Sequence, residues 1–139
     1  MKKKKTFVLV IFAIFASIKI SAQNYDYTVE SYYQPLSMEE MIIQAKVNIS
    51  LFEKYADKAM EFFDDGNYES FLYYSDLALD TGYGSGILYY RRGIVFEYFH
   101  KYSKAKKEYK RAIGCGYSAA QSALVQCRYN QKIWKNRNK

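Results

Sequence analysis

The side chains that could support chemistry are few and scattered in this sequence of 139 residues. The single histidine, His100, is expected near a helix end, where a role in the terminal turn is the ordinary one. Asp64 and Asp65 are adjacent carboxylates that could bind a metal ion, but they directly precede Gly66, which suits a solvated helix-ending turn. Catalysis requires several groups that converge on one point. We therefore predict no catalytic residue, no metal site and no cofactor, in a protein that is not an enzyme.

The two cysteines, Cys115 and Cys127, could in principle form a disulfide or bind zinc. Cys115 falls in a predicted turn, and Cys127 falls two to three turns into the next predicted helix. At about 1.5 Å per residue, this separation exceeds the roughly 7 Å between Cα atoms that a disulfide tolerates. Two thiols and one histidine, in no ligand spacing, do not match a zinc site. We expect two free thiols, with Cys127 in the core.

Basic side chains are concentrated between residues 101 and 111, where Tyr102 and Tyr109 interleave them. The six are Lys101, Lys104, Lys106, Lys107, Lys110 and Arg111. Such a cluster could contact an anionic surface such as lipid head groups, a cell-wall polymer or nucleic acid. Their spacing places the charges on several sides of one helix, which is more typical of an ordinary solvated face. Docking on an anionic surface is therefore the alternative function, and predicted export makes nucleic acid an unsuitable partner.

The N-terminus has the organisation of a secretory signal. Residues 2–5 are four lysines, residues 7–18 are almost all apolar, and Ser21-Ala22-Gln23 offers a cut after Ala22. A retained membrane anchor is the rival interpretation, but the apolar run falls short of the about 20 residues that span a bilayer. We predict that residues 1–22 are a signal peptide and that the protein is exported, to a bacterial periplasm or the medium. Membrane contact would require an uncleaved signal or the basic cluster.

Charge is distributed unevenly along the chain after the predicted cut. Residues 23–80 contain 3 basic and 12 acidic side chains, whereas residues 81–139 contain 13 basic and 2 acidic ones. A molecule polarised in this way should attract an acidic partner at one end and a basic partner at the other. End-to-end association of identical chains is one such possibility, and solvated helix faces without a specific partner are the other.

Helical periodicity dominates the rest of the sequence, and no segment alternates like a strand. Residues 23–37 are a polar, tyrosine-rich leader, expected to be extended. Ser37 followed by Glu40 is a capping box, which predicts a helix start at Met38. One long helix or two abutting ones should end at residues 64–66. Further helices are predicted over residues 68–79, 85–99, 102–113 and 118–134, followed by a basic tail at 135–139.

Residues 86–117 repeat a pattern that occurs 34 positions earlier, in residues 52–83. The pairs include Tyr55 and Tyr89, Ala59 and Gly93, Phe62 and Phe96, Tyr68 and Tyr102, Ala78 and Ala112, and Gly82 and Gly116. A fixed period of this length is typical of a solenoid, in which each unit buries its apolar face only against its neighbours. Solenoids usually present surfaces rather than reactive groups, which favours an interaction function.

These repeated positions are similar to the tetratricopeptide repeat (TPR) family, whose 34-residue unit has aromatic and Leu-Gly positions in its first helix and Ala, aromatic and Ala in its second. The second copy supplies Tyr89, Gly93, Phe96, Ala105, Tyr109 and Ala112. Arg92 replaces the family's leucine, and in the first copy Ser75 replaces an aromatic. Residues 109–124 also resemble Sel1-like repeats. The resemblance implies an all-α fold over residues 38–134: a short α-solenoid of antiparallel helix pairs, with about two TPR-like repeats and a C-terminal capping helix.

The resemblance also implies where a partner would bind, because the family generally binds proteins or peptides in a concave groove lined by the first helices. The corresponding residues here are Met60, Phe63, Tyr90, Ile94, Glu97, Tyr98, Arg128 and Lys132. Tyrosine and arginine are favoured binding anchors. The expected function is therefore an exported adaptor that binds a protein or peptide without turnover. The alternative for these side chains is that they pack on the leader or on another copy of the chain.

Overall fold

A computed structural model describes residues 35–138 of the chain. The predicted signal peptide and all but the last three residues of the predicted leader lie outside this part. The chain divides into two units, Met1–Leu36 and Ser37–Lys139, and the second contains every helix discussed below.

The described part is all-α, and residues 35–138 contain no strand. Its five helices are α1 (Met38–Asp64), α2 (Tyr68–Asp80), α3 (Gly86–Tyr98), α4 (Tyr102–Gly114) and α5 (Ala119–Arg137). They form a short α-solenoid of antiparallel pairs, as the sequence predicted, with α1–α2 and α3–α4 as the pairs and α5 stacked against α4. The long first helix is continuous, and α5 extends beyond Trp134 to Arg137, so most of the predicted basic tail is helical.

The predicted capping box holds the start of α1. The Ser37 hydroxyl accepts from the Glu40 amide at 3.2 Å, while the Glu40 carboxylate accepts from the Ser37 amide at 2.8 Å. Two of the unpaired amides at the helix start are satisfied in this way. These hydrogen bonds also lower the pKa of the Glu40 carboxyl, with the Ser37 amide as the larger cause.

The turns repeat their backbone conformation with the same 34-residue period as the sequence. Gly82 and Gly116 are both left-handed, with φ of 89° and 80°. Gly66 and His100 form a second pair at this spacing, with φ of 72° and 56°. Glycine reaches this region without steric cost, whereas a histidine there is strained. The predicted position of His100 at a helix end is confirmed. Its backbone has the left-handed conformation that Gly66 has at the equivalent position.

Hydrogen bonds at these turns repeat as well. The amide of Asn67 donates to the Phe62 carbonyl at 2.9 Å, and the amide of Lys101 donates to the Phe96 carbonyl at 2.7 Å. Both bonds join residues five apart, across a left-handed residue, which is the Schellman ending of a helix. Because side-chain pattern, φ and hydrogen bonding all recur 34 residues apart, the two pairs are copies of one structural unit.

Two clusters of buried side chains form the core, and α3 contributes to both. The first contains Ala56, Ala59, Phe71, Ala78, Leu88 and Val95. The second contains Phe96, Tyr102, Ala105, Tyr109, Ala112, Ala120, Leu124 and Cys127. Helix α3 therefore buries one face against the first pair and another against α4 and α5, so its orientation decides how the two halves fit together.

Helices α3 and α4 approach most closely where Gly93 faces Tyr109. A Cβ atom at Gly93 would overlap the Tyr109 ring. Because Gly93 has no side chain, the Tyr109 ring packs directly against the backbone of α3 and fills the space that a side chain at position 93 would occupy. This contact fixes the position of Tyr109.

Replacement of Gly93 by alanine tests this close approach. Gly93→Ala should lower the free energy of unfolding by about 1–3 kcal/mol, because the added carbon overpacks the interface. Gly114→Ala is the matched control, since nothing lies within 4 Å of its added carbon. It should be neutral or stabilising by up to about 1 kcal/mol. Urea unfolding measures both, and equal effects would contradict the close approach.

Candidate binding cleft

A cleft of about 770 Å³ opens where α3, α4 and α5 meet. Seven residues line it: Ile94, Glu97, Tyr98, His100, Tyr102, Tyr109 and Asn130. Ile94, Glu97 and Tyr98 share one face of α3 because they are spaced three and four residues apart. Tyr102 and Tyr109 come from α4, and Asn130 comes from α5. The cleft therefore combines an aliphatic side chain, several aromatic rings and a few convergent polar groups, as is usual for binding sites.

Glu97 is the polar centre of this cleft. Asn130 Nδ2 donates to Glu97 Oε1 at 2.6 Å, and the Tyr109 hydroxyl donates to Glu97 Oε2 at 3.1 Å. Asn130 is itself held by Gln126, whose Nε2 donates to Asn130 Oδ1 at 2.9 Å. Both carboxylate oxygens are thus engaged, one by α4 and one by α5. Glu97 joins the three helices and holds a negative charge at a fixed point in the cleft.

The titratable groups beside Glu97 are held in their neutral forms. Burial, and secondly the Glu97 charge, raises the pKa of the Tyr109 hydroxyl well above its usual value. The same causes, in the same order, raise the pKa of Tyr102. They also raise the pKa of the Cys127 thiol to about 12. A thiol with such a pKa is protonated at neutral pH.

Aromatic side chains form the two walls of the cleft. On one side, Tyr98 is 64% exposed and packs edge-on against Tyr68, with ring centroids 4.9 Å apart. On the other, the His100 ring stacks on Trp134 at 5.9 Å, and His100 Nδ1 lies 3.3 Å from the Tyr102 hydroxyl. The rings are therefore supported from behind by further rings, which limits the conformational entropy that binding would remove.

Three of the eight predicted groove residues line this cleft: Ile94, Glu97 and Tyr98. The half-buried Tyr90 packs instead against Tyr109 and Tyr117, at centroid distances of 5.9 and 5.0 Å. Its role is therefore packing within the second repeat rather than lining the cleft.

The predicted residues of α1 and α5 lie outside the lining of this cleft. Met60 and Phe63 are half-buried around Arg91, whose Nη1 lies 3.2 Å from Met60 Sδ and whose guanidinium carbon lies 4.6 Å from the centroid of the Phe63 ring. Arg128 and Lys132 are exposed on α5. The tilted packing of Phe63 on Tyr68 at 5.8 Å connects this region with Tyr98, so an aromatic surface continues from the cleft to α1.

Sequence reasoning missed Asn130, although the repeat contains a signal for it. Phe62, Phe96 and Asn130 occupy the same position in three successive units, 34 residues apart. A polar side chain at the third of these positions departs from the aromatic pattern, and in the structure it faces Glu97 rather than an apolar core. His100, Tyr102 and Tyr109 were recognised in the sequence only as turn, cluster or packing residues.

A second polar cluster lies behind the cleft, around the buried guanidinium of Arg92. Arg92 donates to the Ser75 hydroxyl and, at 2.6 Å, to Asp76 Oδ1, both on α2. It also donates to Glu108 Oε2 on α4 at 3.2 Å, and Arg111 donates to the other oxygen of Glu108 at 2.9 Å. Arg92 and Ser75 are two positions where the sequence departs from the family pattern, and the structure shows that these two departures are bonded to each other.

The basic cluster is arranged differently from the expectation. Lys104, Lys107, Lys110 and Arg111 share the exposed face of α4, within an arc of about 120° at 3.6 residues per turn. Lys101 lies just before the helix with its ammonium over the Phe99 ring, and Lys106 is half-buried, donating to Gln131 at 2.8 Å. The prediction that the charges point to several sides is therefore wrong for four of the six.

Both cysteines are free, with Cys127 buried as predicted and Cys115 exposed. Asp64 pairs with Arg91 at 3.1 Å. Over residues 35–138, no three His, Cys, Asp or Glu side chains are grouped so that they could hold a metal ion. None of the helices described has the length and apolar character needed to span a bilayer.

Comparisons with protein-family models, with curated proteins and with solved structures found no match to this chain.

Proposed function

We propose that this protein is a TPR-like interaction module that binds a segment of another protein in the cleft between α3, α4 and α5. The observation that carries the proposal is the convergence of Ile94, Tyr98 and the fixed Glu97 on one cleft. The 34-residue recurrence of turn geometry supports the relationship to helical repeats. Such repeats present extended surfaces for protein partners. Binding requires no turnover, and no catalytic role is assigned to any residue.

The chemistry of the cleft favours one class of segment. Ile94 and Tyr98 offer apolar and aromatic contact to an aliphatic or aromatic anchor residue, while Glu97 is already bonded by Asn130 and Tyr109. Residues 98–138 contain ten Lys or Arg and one acidic residue, Glu108, and six of the ten lie outside the exposed face of α4 that points away from the cleft. We therefore propose a peptide with an apolar anchor and acidic flanking residues. The N-terminal sequence, with its lysines, apolar run and Ala22 cut, is the ground for proposing that this binding occurs outside the cytosol.

Substitution at the cleft tests the proposal. Tyr98→Ala combined with Ile94→Ala should weaken binding of an apolar-anchored acidic peptide at least tenfold, because a central aromatic contact is removed. Tyr73→Ala is the matched control, since Tyr73 is 61% exposed on α2, away from the cleft. Peptide-array selection followed by calorimetric titration measures the affinities. Equal affinity for the cleft variant and wild type would remove the cleft from the account.

A second candidate function is favoured by the basic face of α4. Lys104, Lys107, Lys110 and Arg111 are exposed on one side of α4, and the one carboxylate on this helix, Glu108, is buried and paired with Arg111. A face of this kind can dock on an anionic surface such as acidic lipid head groups or a cell-wall polymer. This contact would use a different side of the molecule from the cleft, so the two functions are compatible.

Neutralisation of this face tests docking separately. Lys104, Lys107 and Lys110 changed together to glutamine should reduce co-sedimentation with vesicles containing anionic lipid, and binding of the wild type should weaken as salt rises because screening shortens the range of charge attraction. Lys46, Lys54 and Lys58 changed to glutamine on α1 provide the control with the same charge change. Salt-independent sedimentation, or an equal loss in both variants, would contradict this function.

A further inference from the structure

The first half of α1 carries an apolar stripe that the described residues leave uncovered. The face of α1 that packs on α2 through Ala56 and Ala59 continues towards the N-terminus with the same three- and four-residue spacing. Its further members are Met38, Met41, Ile42, Ala45 and Ile49. All but Ala45 are exposed, and Met38 is 71% exposed. α1 has 27 residues and α2 has 13, so α2 can lie against only half of it.

The opposite end of the stack is open in the same way. Helix α5 buries Ala120, Leu124 and Cys127 against α4. On another side it exposes Val125 and Tyr129, four residues apart, which are 65% and 60% exposed. In the part of the chain that is described, α1 and α3 are each followed by a helix that packs against them, whereas α5 has no such successor. Each end of the solenoid thus offers one uncovered helix face.

The two open ends have opposite charge. Residues 38–80, which form α1 and α2, contain ten acidic and three basic side chains. Residues 98–138, which include α4 and α5, contain ten basic side chains and only Glu108 as an acid. Glu108 is buried and paired with Arg92 and Arg111, so nine positive charges remain in excess in residues 98–138. A contact between the two ends of different molecules joins opposite charges, whereas a contact between two α1 ends joins like charges.

We propose that the chain associates head to tail with a second copy, the first half of α1 in one molecule covering the face of α5 around Val125 and Tyr129 in the next. The uncovered part of α1, residues 38–51, has a length of about 21 Å at 1.5 Å per residue, similar to the 13-residue helices of the repeats and shorter than the 19-residue α5. The contact buries apolar side chains from both helices and brings acidic and basic flanks together. Because the two surfaces differ, the contact is heterologous, and it generates open chains of molecules rather than a closed dimer.

The assembly is independent of the proposed cleft function. Asn130 faces the cleft and is half-buried, whereas Val125 and Tyr129 lie on the exposed side of α5. Variants at the two ends therefore leave the cleft intact, and variants at Tyr98 and Ile94 leave both ends intact. Failure of one proposal can be recognised without reference to the other.

Sedimentation of end-blocked variants tests the assembly. In one full-length variant, Ile42→Gln and Ile49→Gln remove apolar side chains from the α1 stripe; in the other, Val125→Gln and Tyr129→Gln do so on α5. All four positions are exposed, and circular dichroism verifies that the helices are retained. Wild type should increase in mass with concentration and dissociate with added salt. Each variant alone should associate at least tenfold more weakly, while an equimolar mixture should form a discrete heterodimer, because each variant keeps one intact end.

A control and three outcomes complete this test. Tyr73→Gln, which removes an equally exposed aromatic side chain from α2, should associate like wild type. A wild type that stays monomeric at all concentrations overturns the proposal. So does an α1 variant that loses association while the α5 variant associates like wild type, because this result indicates symmetric pairing of α1. A mixture that forms no heterodimer also overturns it, because head-to-tail contact requires that product.

Discussion

Arg92 joins the two halves of this solenoid at the point where apolar packing is sparsest. Helix α3 packs less extensively on the first pair than on α4, and it reaches that pair through Leu88 and Val95, through Arg91 and Tyr98, and through the Arg92 guanidinium. Its bonds reach Ser75 and Asp76 on α2 and Glu108 on α4. A buried charge is tolerated only when it is paired and fully hydrogen-bonded. These partners therefore constrain the rotation of α3, and the face of α3 that carries Ile94, Glu97 and Tyr98 is directed into the cleft.

The same arrangement shapes the cleft, while both ends of the described stack remain open. Glu97 joins α3 to α4 and α5 through Tyr109 and Asn130, so the side chains that form the cleft are bonded to one another. Gly93 sets the distance between α3 and α4 that brings Tyr109 within reach. At the ends no further repeat is present in the described residues, and the apolar faces of α1 and α5 remain uncovered. Acidic side chains are concentrated in α1 and α2 and basic ones in α4 and α5, so the two ends of the stack differ in charge.

Local signals in the sequence were sufficient to predict the helices and turns. The capping box at Ser37, the glycines at 66, 82 and 116 and the 34-residue period specify bonds between near neighbours, which depend little on the rest of the fold. The cleft was predicted only on its α3 side, because the periodicity of one helix shows which residues share a face. The pairing of Glu97 with Asn130, and of Arg92 with Ser75, depends on which helices come together. The sequence signal for these pairs was that polar residues stand at repeat positions where the pattern has apolar ones. The end of α5 was predicted too early, because no glycine or proline follows Trp134 to mark where the helix stops.

The most direct test of this account is the stability of two variants at the Arg92 ion pair, in which Arg92 and Glu108 are both almost fully buried. Arg92→Met alone should lower the free energy of unfolding by about 1–3 kcal/mol, because Glu108 loses one of its two cationic partners and keeps only Arg111. Arg92→Met combined with Glu108→Leu should return to within about 1 kcal/mol of the wild type, because no buried charge is then left unpaired. Urea unfolding, followed by circular dichroism, measures both. A single variant as stable as the wild type, or a double variant as unstable as the single, would contradict the central role of this ion pair.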